Sequence, residues 1–393
     1  MSKLGFVIIL GIFGSLAVKW VNPSIQPLFS LKQIVGDGAD RDKESVYRVR
    51  LVSDDMTAEV HSASVIEVDE GILSAVWYGG TREGSKDTVI LHSTLALHSK
   101  TANPTTVNSM LIEPVWKPSE VIVSRKATQQ DLSRYVKKLG NPVITKDPQG
   151  RVWLFYVSVS VGGWAGSAIN VKYSDDQGHS WSPSKRLVTS PFINISTLVK
   201  SKPFFYDDGT LGLPVYHEFI GKFPEIVHLD KNGEVLGKQR LWWGRASLQP
   251  EVIPVGPQEA VVFLRSASIE LNRILRMVTG STVKRGSTPQ ALALLNPNAG
   301  ISALLKDDGA MLMVFNNSPD QRNILSLAHS KDNGQHWTVI HDFENVSKPP
   351  LNRFSYPTLI QSTDGHYHML YTWNRTQIKH VEFNDVWLEA MLQ

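Results

Sequence analysis

A short pattern of Ser, Asp, Gly and Trp constrains the fold of this chain more than any other sequence feature. The four residue types keep the spacing Ser-x-Asp-x-Gly-x-x-Trp at 174–181 and again at 330–337. Each copy directly follows a strand pattern, at 168–173 and at 324–329. Ser and Asp side chains bond nearby backbone amides, Gly supplies a positive φ, and Trp closes the hairpin as an apolar plug. Two such copies indicate a repeat architecture.

Pairs of short strand patterns recur along the chain from about residue 46. Six pairs are found: 71–79 with 88–97, 151–159 with 168–173, 210–219 with 225–229, 259–267 with 274–279, 310–316 with 324–329, and 366–373 with 378–383. Their spacing of roughly 50–80 residues is typical of four-stranded β-propeller blades. Helical periodicity is scarce, and its best candidate is 128–139. The sequence therefore predicts an all-β protein, a six-bladed β-propeller; a β-sandwich or β-helix accounts less well for paired strands at this period.

The composition excludes several classes of protein. The chain has 393 residues, a formal net charge of +3 and no cysteine. A nearly balanced charge provides no field for nucleic acid, and the lack of cysteine excludes disulfides, thiol nucleophiles and thiolate-bound metals. The sequence contains no His-Glu-x-x-His, P-loop or dinucleotide signature. We therefore predict neither a cofactor nor a metal.

The N-terminus resembles an export signal. Lys3 precedes about fifteen mostly apolar residues, 4–18, as in a signal peptide or a short membrane anchor. No clear small-x-small cleavage site follows, so both possibilities stay open, with a buried helix as a third. We predict a signal peptide or N-terminal membrane anchor at 1–20, a linker at 21–45 and the propeller at 46–393. The protein is then exported, periplasmic or extracellular, with membrane association only through residues 4–18.

Residues 55–385 resemble the sialidase (neuraminidase) superfamily, in its BNR/Asp-box repeat, sialidase-like branch. The resemblance rests on the two Ser-x-Asp-x-Gly-x-x-Trp segments, which match the family's Asp boxes. It rests also on the amino-acid sequences of residues 61–87, 140–156, 213–219, 296–317 and 355–373. It implies a propeller with Asp-box hairpins and a pocket on its axis. It also implies an exo-acting glycoside hydrolase that cleaves a terminal acidic sugar, sialic acid or a related acid, from a glycan.

The resemblance assigns roles to several residues. Sialidases hold the substrate carboxylate with three arginines, attack with a tyrosine activated by a glutamate, and use an aspartate as acid and base. Arg265 and Arg322 match two of the arginines, whose forked donors suit a carboxylate. Tyr356 matches the nucleophile, Asp87 the acid and base, and Arg82 a further arginine near Asp87. The structural alternatives are strand arginines, a core tyrosine and a turn aspartate.

Two positions depart from the family pattern. His61 stands where sialidases carry their first arginine, and Gln249 stands where they carry the glutamate. Glu218 is our candidate for the missing carboxylate, and His61 is a candidate for substrate binding or acid–base work. Asn298, in the turn 296–300, is a further candidate for substrate binding, together with Gln249. The resemblance thus implies the fold as a whole and leaves specificity for sialic acid open.

Two other functions remain compatible with these residues. A uronate-specific glycosidase or lyase could use histidine and tyrosine beside a carboxylate that arginine neutralises. A non-catalytic carbohydrate-binding or cell-envelope propeller would keep the hairpins and lose the acid–base residues. In each case the expected partner is an acidic glycan or polysaccharide.

Overall fold

The computed structural model describes residues 27–31, 44–97, 113–190, 194–268, 270–281, 286–346, 348 and 352–393. The predicted signal peptide or anchor at 1–20 lies outside these residues. Within the described ranges, no helix is long and apolar enough to cross a membrane. The first strand, β1 (Tyr47–Leu51), joins the sheet formed by the last part of the chain.

The first three blades follow one another in the chain, and neighbouring strands are antiparallel. Blade 1 contains β2 (Glu59–Asp69), β3 (Ile72–Gly80), β4 (Val89–Ala96) and β5 (Glu120–Ser124). Blade 2 contains β6 (Lys138–Lys146), β7 (Val152–Val159), β8 (Ser167–Ser174) and β9 (Lys185–Arg186). Blade 3 contains β10 (Leu198–Val199), β11 (Phe204–Phe205), β12 (Leu211–His217), β13 (Phe223–Leu229) and β14 (Val235–Arg240).

The remaining strands form three more blades. Blade 4 contains β15 (Ser247–Gly256), β16 (Glu259–Ser266), β17 (Arg273–Gly280) and β18 (Gln290–Leu295). Blade 5 contains β19 (Ser302–Leu305), β20 (Met311–Phe315), β21 (Ile324–Ser330) and β22 (Thr338–Asn345). Blade 6 contains β23 (Phe354–Gln361), β24 (Tyr367–Trp373), β25 (Gln377–Phe383) and, at its outer edge, β1.

The predicted six-bladed propeller is confirmed. Each of the six predicted strand pairs forms the second and third strands of one blade. These strands read as continuous apolar runs because both of their faces are covered; β7, for example, is buried along its whole length. Apolar clusters join neighbouring blades, as between Phe155 of blade 2 and Leu213 of blade 3.

Pairing of β1 with β25 joins the two ends of the propeller. The two strands are antiparallel, from Tyr47 opposite Phe383 to Leu51 opposite Lys379. Glu382 accepts hydrogen bonds from Arg48 and Arg50 of β1. The last blade therefore contains strands from both ends of the described propeller, which leaves no gap in the ring of blades.

In the part of the chain that the structure describes, two short α-helices accompany the strands, and the predicted helix at 128–139 is displaced. Helix α1 is Arg125–Leu132, and helix α2 is Asp385–Leu392. The Ser124 side chain accepts a hydrogen bond from the Ala127 amide and caps the start of α1. The left-handed conformation of Ser133 ends the helix, and Leu139 belongs to β6.

The two Ser-x-Asp-x-Gly-x-x-Trp hairpins share the hydrogen bonds among their Ser, Asp and Gly residues. In the first, the Ser174 hydroxyl donates to Asp176 at 2.7 Å and accepts from the Gly178 amide at 2.8 Å. In the second, Ser330 donates to Asp332 at 2.8 Å and accepts from the Gly334 amide at 3.1 Å. These hairpins lie at the ends of β8 and β21.

A short segment before the propeller packs on blade 3. Residues 27–31 fall within the predicted linker, and Phe29 in this segment is buried. Its ring lies 5.4 Å from that of Phe204 and 5.6 Å from that of Tyr206. Phe29 therefore adds to the apolar core between blades 3 and 4.

Candidate active site

Each blade places one left-handed residue within or just before its innermost strand. Their φ angles lie between 44 and 63°, and the residues are Ser62, Asn141, Ser196, Gln249, Asn298 and Tyr356. In blades 1, 2, 4 and 6 a β-bulge coincides with this residue. Bulges re-aim side chains, and non-glycine residues keep a positive φ only where the surrounding structure imposes it. We call these six residues the axial ring, and three of them are predicted site residues.

Gln249 connects the axial ring to tyrosine and arginine side chains. Its Nε2 donates to the Tyr356 hydroxyl at 3.4 Å and to the Tyr216 hydroxyl at the same distance. Its Oε1 accepts from Arg265 Nη1 at 3.3 Å. A glutamine at this position can satisfy a phenol and a guanidinium at once, because it carries both a donor and an acceptor.

Arg265 and Arg322 converge on Asn298. Arg265 Nε donates to Asn298 Oδ1 at 2.6 Å, and Arg322 Nη2 donates to the Asn298 carbonyl at 2.9 Å. Among the described residues, both guanidinium groups bond only uncharged acceptors. Burial lowers the pKa of Arg322 from its usual value, and the charge of Arg265 also disfavours protonation. Guanidinium groups without a carboxylate partner can bind an anion.

His61 lies beside the tyrosine of the axial ring. It is 4% exposed, and its ring meets the Tyr356 ring edge-on at 4.5 Å between centroids. Burial lowers the pKa of His61 to about 3, with further contributions from the charges of Arg375, Arg322 and Arg265. His61 is therefore neutral near pH 7, and its Nδ1 has no hydrogen-bond partner among the described residues. A neutral imidazole with an unused ring nitrogen can donate or accept a hydrogen bond.

Arg375 is a site residue that the sequence analysis missed. It occupies the turn between β24 and β25 and has a φ of 61°. Its guanidinium bonds Glu83 at 2.7 Å, and among the charged groups it contributes most to lowering the pKa of His61. Strand pairing of Phe354 with Trp373 sets this turn beside the start of β23, where Tyr356 lies. A register built from the predicted strands would have located it.

Tyr216 and Asn141 also join the cluster without having been predicted. Asn141 Nδ2 donates to the Tyr216 hydroxyl at 3.2 Å. Burial raises the pKa of Tyr216 well above its usual value, and the negative charge of Glu218 adds to this effect. Glu218 therefore acts on Tyr216 through space. Its backbone amide donates to Ser196 of the axial ring at 2.8 Å, and within the described residues it makes no hydrogen bond to Tyr356.

Asp87 and Arg82 belong to the loop between β3 and β4. Asp87 accepts hydrogen bonds from the Thr81 amide at 2.9 Å, from the Thr81 hydroxyl at 2.5 Å and from the Ser85 hydroxyl. The Ser85 and Thr81 side chains lower the pKa of Asp87 to about 2. Arg82 is exposed. Both residues follow Tyr78, which pairs with His61 across the sheet, but the described contacts do not join them to the Gln249 cluster.

The fold and this arrangement define a β-propeller whose innermost strands carry a network of two arginines, Gln249, Asn298 and Tyr356. The chain belongs to the BNR repeat-like domain family, whose model matches residues 71–369. A comparison with curated proteins finds no significant match.

Solved structures share the fold at low sequence identity. A Hadza microbial sialidase is 15% identical with a TM-score of 0.67, covering 85% of this chain and 67% of that one. The intramolecular trans-sialidase from Ruminococcus gnavus is 13% identical with a TM-score of 0.62, covering 84% and 96%. An alpha-L-arabinanase from Penicillium chrysogenum is 11% identical with a TM-score of 0.59, covering 87% and 98%. At these identities the likeness establishes the propeller fold.

Proposed function

We propose that the protein is an exo-acting glycoside hydrolase that removes a terminal acidic sugar, sialic acid or a related acid, from a glycan. One observation carries this function: Arg265 and Arg322 meet at Asn298, bond only uncharged groups among the described residues, and are linked through Gln249 to the Tyr356 hydroxyl. A sugar carboxylate would supply the anion, and the hydroxyl would face the anomeric carbon that bears it. Export through residues 1–20 would bring the protein to glycans outside the cell.

Tyr356 is the proposed nucleophile. A phenol attacks a carbon that carries a carboxylate without the repulsion of a second anion. Its oxygen bonds to the anomeric carbon as the bond to the departing glycan breaks. Water, which gives a proton to Asp87, later displaces the phenol oxygen, and the proton on His61 returns to that oxygen. Gln249 orients the phenol, and His61 is the closest ring to receive its proton. A bound carboxylate would offset the arginine charges that lower the pKa of His61, which raises its basicity when substrate is present.

Asp87 is the proposed proton donor to the departing oxygen. In the ligand-free site its bonds to Ser85 and Thr81 keep it ionised. Donation therefore requires substrate to replace those bonds, because a carboxyl group with a pKa of about 2 carries almost no proton near pH 7. We assign to Glu218 the role of keeping Tyr216 protonated through its negative charge. We assign to Arg82 a contact with the leaving glycan.

A uronate lyase is the second candidate, and the contact between His61 and Tyr356 favours it. One of the two removes the proton beside a uronate carboxylate while the arginines neutralise that carboxylate. The electron pair forms a carbon–carbon double bond, the glycosidic bond breaks, and the other residue protonates the departing oxygen. His61 stays neutral near pH 7, and a bound uronate carboxylate would offset the arginine charges that lower its pKa.

A substrate screen tests these functions on the purified protein. Fluorogenic sialosides, uronosides and neutral glycosides measure hydrolysis, and absorbance of an unsaturated uronate measures elimination. Release from a sialoside supports a sialidase, and release only from a uronoside assigns another acid sugar. An elimination signal establishes the lyase. Saturable binding of an acidic glycan without turnover would show that the protein is a carbohydrate-binding propeller and not an enzyme.

A further inference from the structure

A stacked group of side chains leads from the β12–β13 hairpin to an exposed tryptophan. His217 stacks on Phe223 with ring centroids 4.3 Å apart and planes 17° apart. The Arg240 guanidinium lies 3.6 Å from the Phe223 ring and 4.3 Å from the Trp243 ring. Trp243 is 61% exposed, although its indole already has a cation on it. We call these four residues the stacked column.

Backbone hydrogen bonds hold the Trp243 segment in place. The Lys222 amide donates to the Arg245 carbonyl at 3.0 Å, and the Ser247 amide donates to the Lys222 carbonyl at 3.0 Å. Arg240 Nε also donates to the Trp242 carbonyl at 3.1 Å. An exposed tryptophan on a backbone tied at both sides is preorganised, so a ligand need not order it.

The stacked column is continuous with the candidate active site. His217 precedes Glu218, whose amide bonds Ser196 of the axial ring. The Ala267 amide donates to the Ala246 carbonyl at 2.8 Å, two residues beyond Arg265. The segment that carries Trp243 is thus attached to the strand end that carries one of the anion-receptive arginines.

The surroundings of Trp243 are basic and apolar. Arg240, Arg245 and Lys222 lie in this region. Burial and Arg245 lower the pKa of Arg240 from its usual value, whereas Glu225, which also bonds His217 at 2.7 Å, raises it. Phe219 and Ile220, at the hairpin tip, are 58% and 71% exposed. Three exposed apolar side chains are far fewer than the roughly 20–30 residues per partner of a stable protein interface. The face of an indole, flanked by arginine, instead suits one ring of an acidic sugar.

We propose that Trp243 is the platform of a second subsite, which binds a sugar of the acidic glycan beyond the terminal residue. The subsite rests on the proposed function above, because it takes the same glycan chain. Arg240 fixes the indole from one side, Trp243 presents its free surface to the apolar face of the sugar, and Arg245 meets a carboxylate on that chain. The subsite therefore distinguishes long acidic substrates from short ones.

Binding and turnover of short and long glycans test this subsite. Titration calorimetry with oligomers of colominic acid and of polygalacturonate compares wild type with Trp243→Ala and Trp243→Phe. We expect Trp243→Ala to weaken binding of at least one acidic oligomer by about tenfold or more, the scale of a truncated aromatic anchor, and Trp243→Phe to retain most of the affinity. Kinetics on a fluorogenic single-sugar glycoside should stay within about twofold.

Tyr173→Ala is the matched control. Tyr173 is also exposed, at 38%, and Arg151 lies 4.3 Å from its ring, yet it lies next to the hairpin at 174–181. Its replacement should leave oligomer binding unchanged. Equal losses in both variants, undiminished binding by Trp243→Ala, or no wild-type binding of either oligomer would overturn the subsite. So would conversion of a wild-type dimer to a monomer by Trp243→Ala, because the patch would then serve self-association.

The two proposals fail separately. Calorimetry does not require turnover. If the protein hydrolyses nothing, yet Trp243→Ala loses oligomer binding, the subsite is supported and the hydrolase proposal is wrong. If the protein hydrolyses acidic glycosides and Trp243→Ala binds and cleaves long chains like wild type, the hydrolase is supported and the subsite proposal is wrong.

Discussion

Tyr356 makes two contacts that can be separated by a single substitution. Its hydroxyl accepts from Gln249, while its ring packs against His61. In Tyr356→Phe the ring contact remains and the attacking oxygen is lost, so we expect kcat to fall by about a thousandfold. The dissociation constant of a substrate sugar should change by less than about threefold. Single-turnover kinetics and calorimetry measure the two effects, and unchanged turnover would remove Tyr356 from the chemistry.

Arg265 provides the second prediction at this scale. Its replacement in Arg265→Gln removes a guanidinium that bonds only uncharged acceptors among the described residues. We expect the affinity for an acidic sugar to fall by about tenfold or more, with less dependence on salt. Arg276→Gln is the control, because Arg276 lies in the same blade but bonds the Asn333 carbonyl. Similar losses in both variants would mean that overall charge, and not the site, attracts the ligand.

The identities of several site residues were predictable from the sequence, but their backbone conformations and contacts were not. Arg265, Arg322, Gln249 and Tyr356 were predicted from the resemblance to sialidases, and Asn298 from its place in the turn 296–300; the fold brings the five into one network. The left-handed conformations of the axial ring follow from no local propensity, since Gln and Tyr rarely adopt them. Neighbouring blades impose them, so the link between Gln249 and Tyr216 could not be foreseen from either residue alone.

The glycines of the turns differ in what surrounds them, which gives a prediction at the scale of the element. Gly334 has a φ of +73°, and a Cβ there would lie 2.4 Å from Phe263 of blade 4. Gly309 has a φ of +82° and no atom within 4 Å of such a Cβ. We expect Gly309→Ala to lower the free energy of unfolding by about 1 kcal/mol, from backbone strain alone. Gly334→Ala should cost about 1–3 kcal/mol more, because it also overpacks the contact between blades.

Urea unfolding of the two variants measures this difference. Gly178→Ala is a third member of the series, because it occupies the equivalent turn at a φ of +95° with its nearest contact at 3.7 Å. It should behave like Gly309→Ala. Equal losses for Gly334→Ala and Gly309→Ala would show that the hairpin does not brace blade 4.

Strand elements were predictable because their signal is local. The six strand pairs show apolar runs bounded by turns, which the neighbouring blades cover on both faces. Helix α1 was placed with the wrong bounds because its ends depend on the Ser124 cap and on the left-handed Ser133. The pairing of β1 with β25 was not predictable from the pattern, since its partners are more than 300 residues apart in sequence.

At the scale of the whole molecule, the closing blade contains a chain of hydrogen bonds with fixed direction. Trp116 Nε1 can only donate, and it bonds His380 Nδ1 at 3.2 Å. His380 Nε2 must then carry the proton that His368 Nδ1 accepts at 3.0 Å. His368 Nε2 in turn donates to the Ser362 hydroxyl at 2.9 Å, which donates to Asp364 at 2.5 Å. Only neutral imidazoles satisfy this chain.

Protonation therefore opposes closure of the ring. Burial lowers the pKa of His368 to about 4 and that of His380 well below its usual value. His366 and Arg50 lower the pKa of His368 further, whereas Glu382 and Asp364 raise it. In the unfolded chain a histidine titrates near pH 6.5. Between that pH and about 4 the unfolded state binds more protons than the folded state. The contribution of these histidines to the free energy of unfolding is therefore fully present above about pH 6.5 and is lost as the pH falls.

Replacement of His368 by glutamine separates this effect from general acid unfolding. Glutamine can accept from His380 and donate to Ser362, but it does not titrate. We expect His368→Gln to be less stable than wild type near pH 7, because it fills the site less well, and to lose less stability on acidification. For each pH unit of this window, the loss of unfolding free energy should differ between wild type and His368→Gln by up to about 1.4 kcal/mol. Urea unfolding between about pH 7 and pH 4.5 measures the slope, with exposed His179→Gln as the control that leaves it unchanged. A wild-type slope in His368→Gln would show that the hydrogen-bonded chain accepts protons without opening the ring.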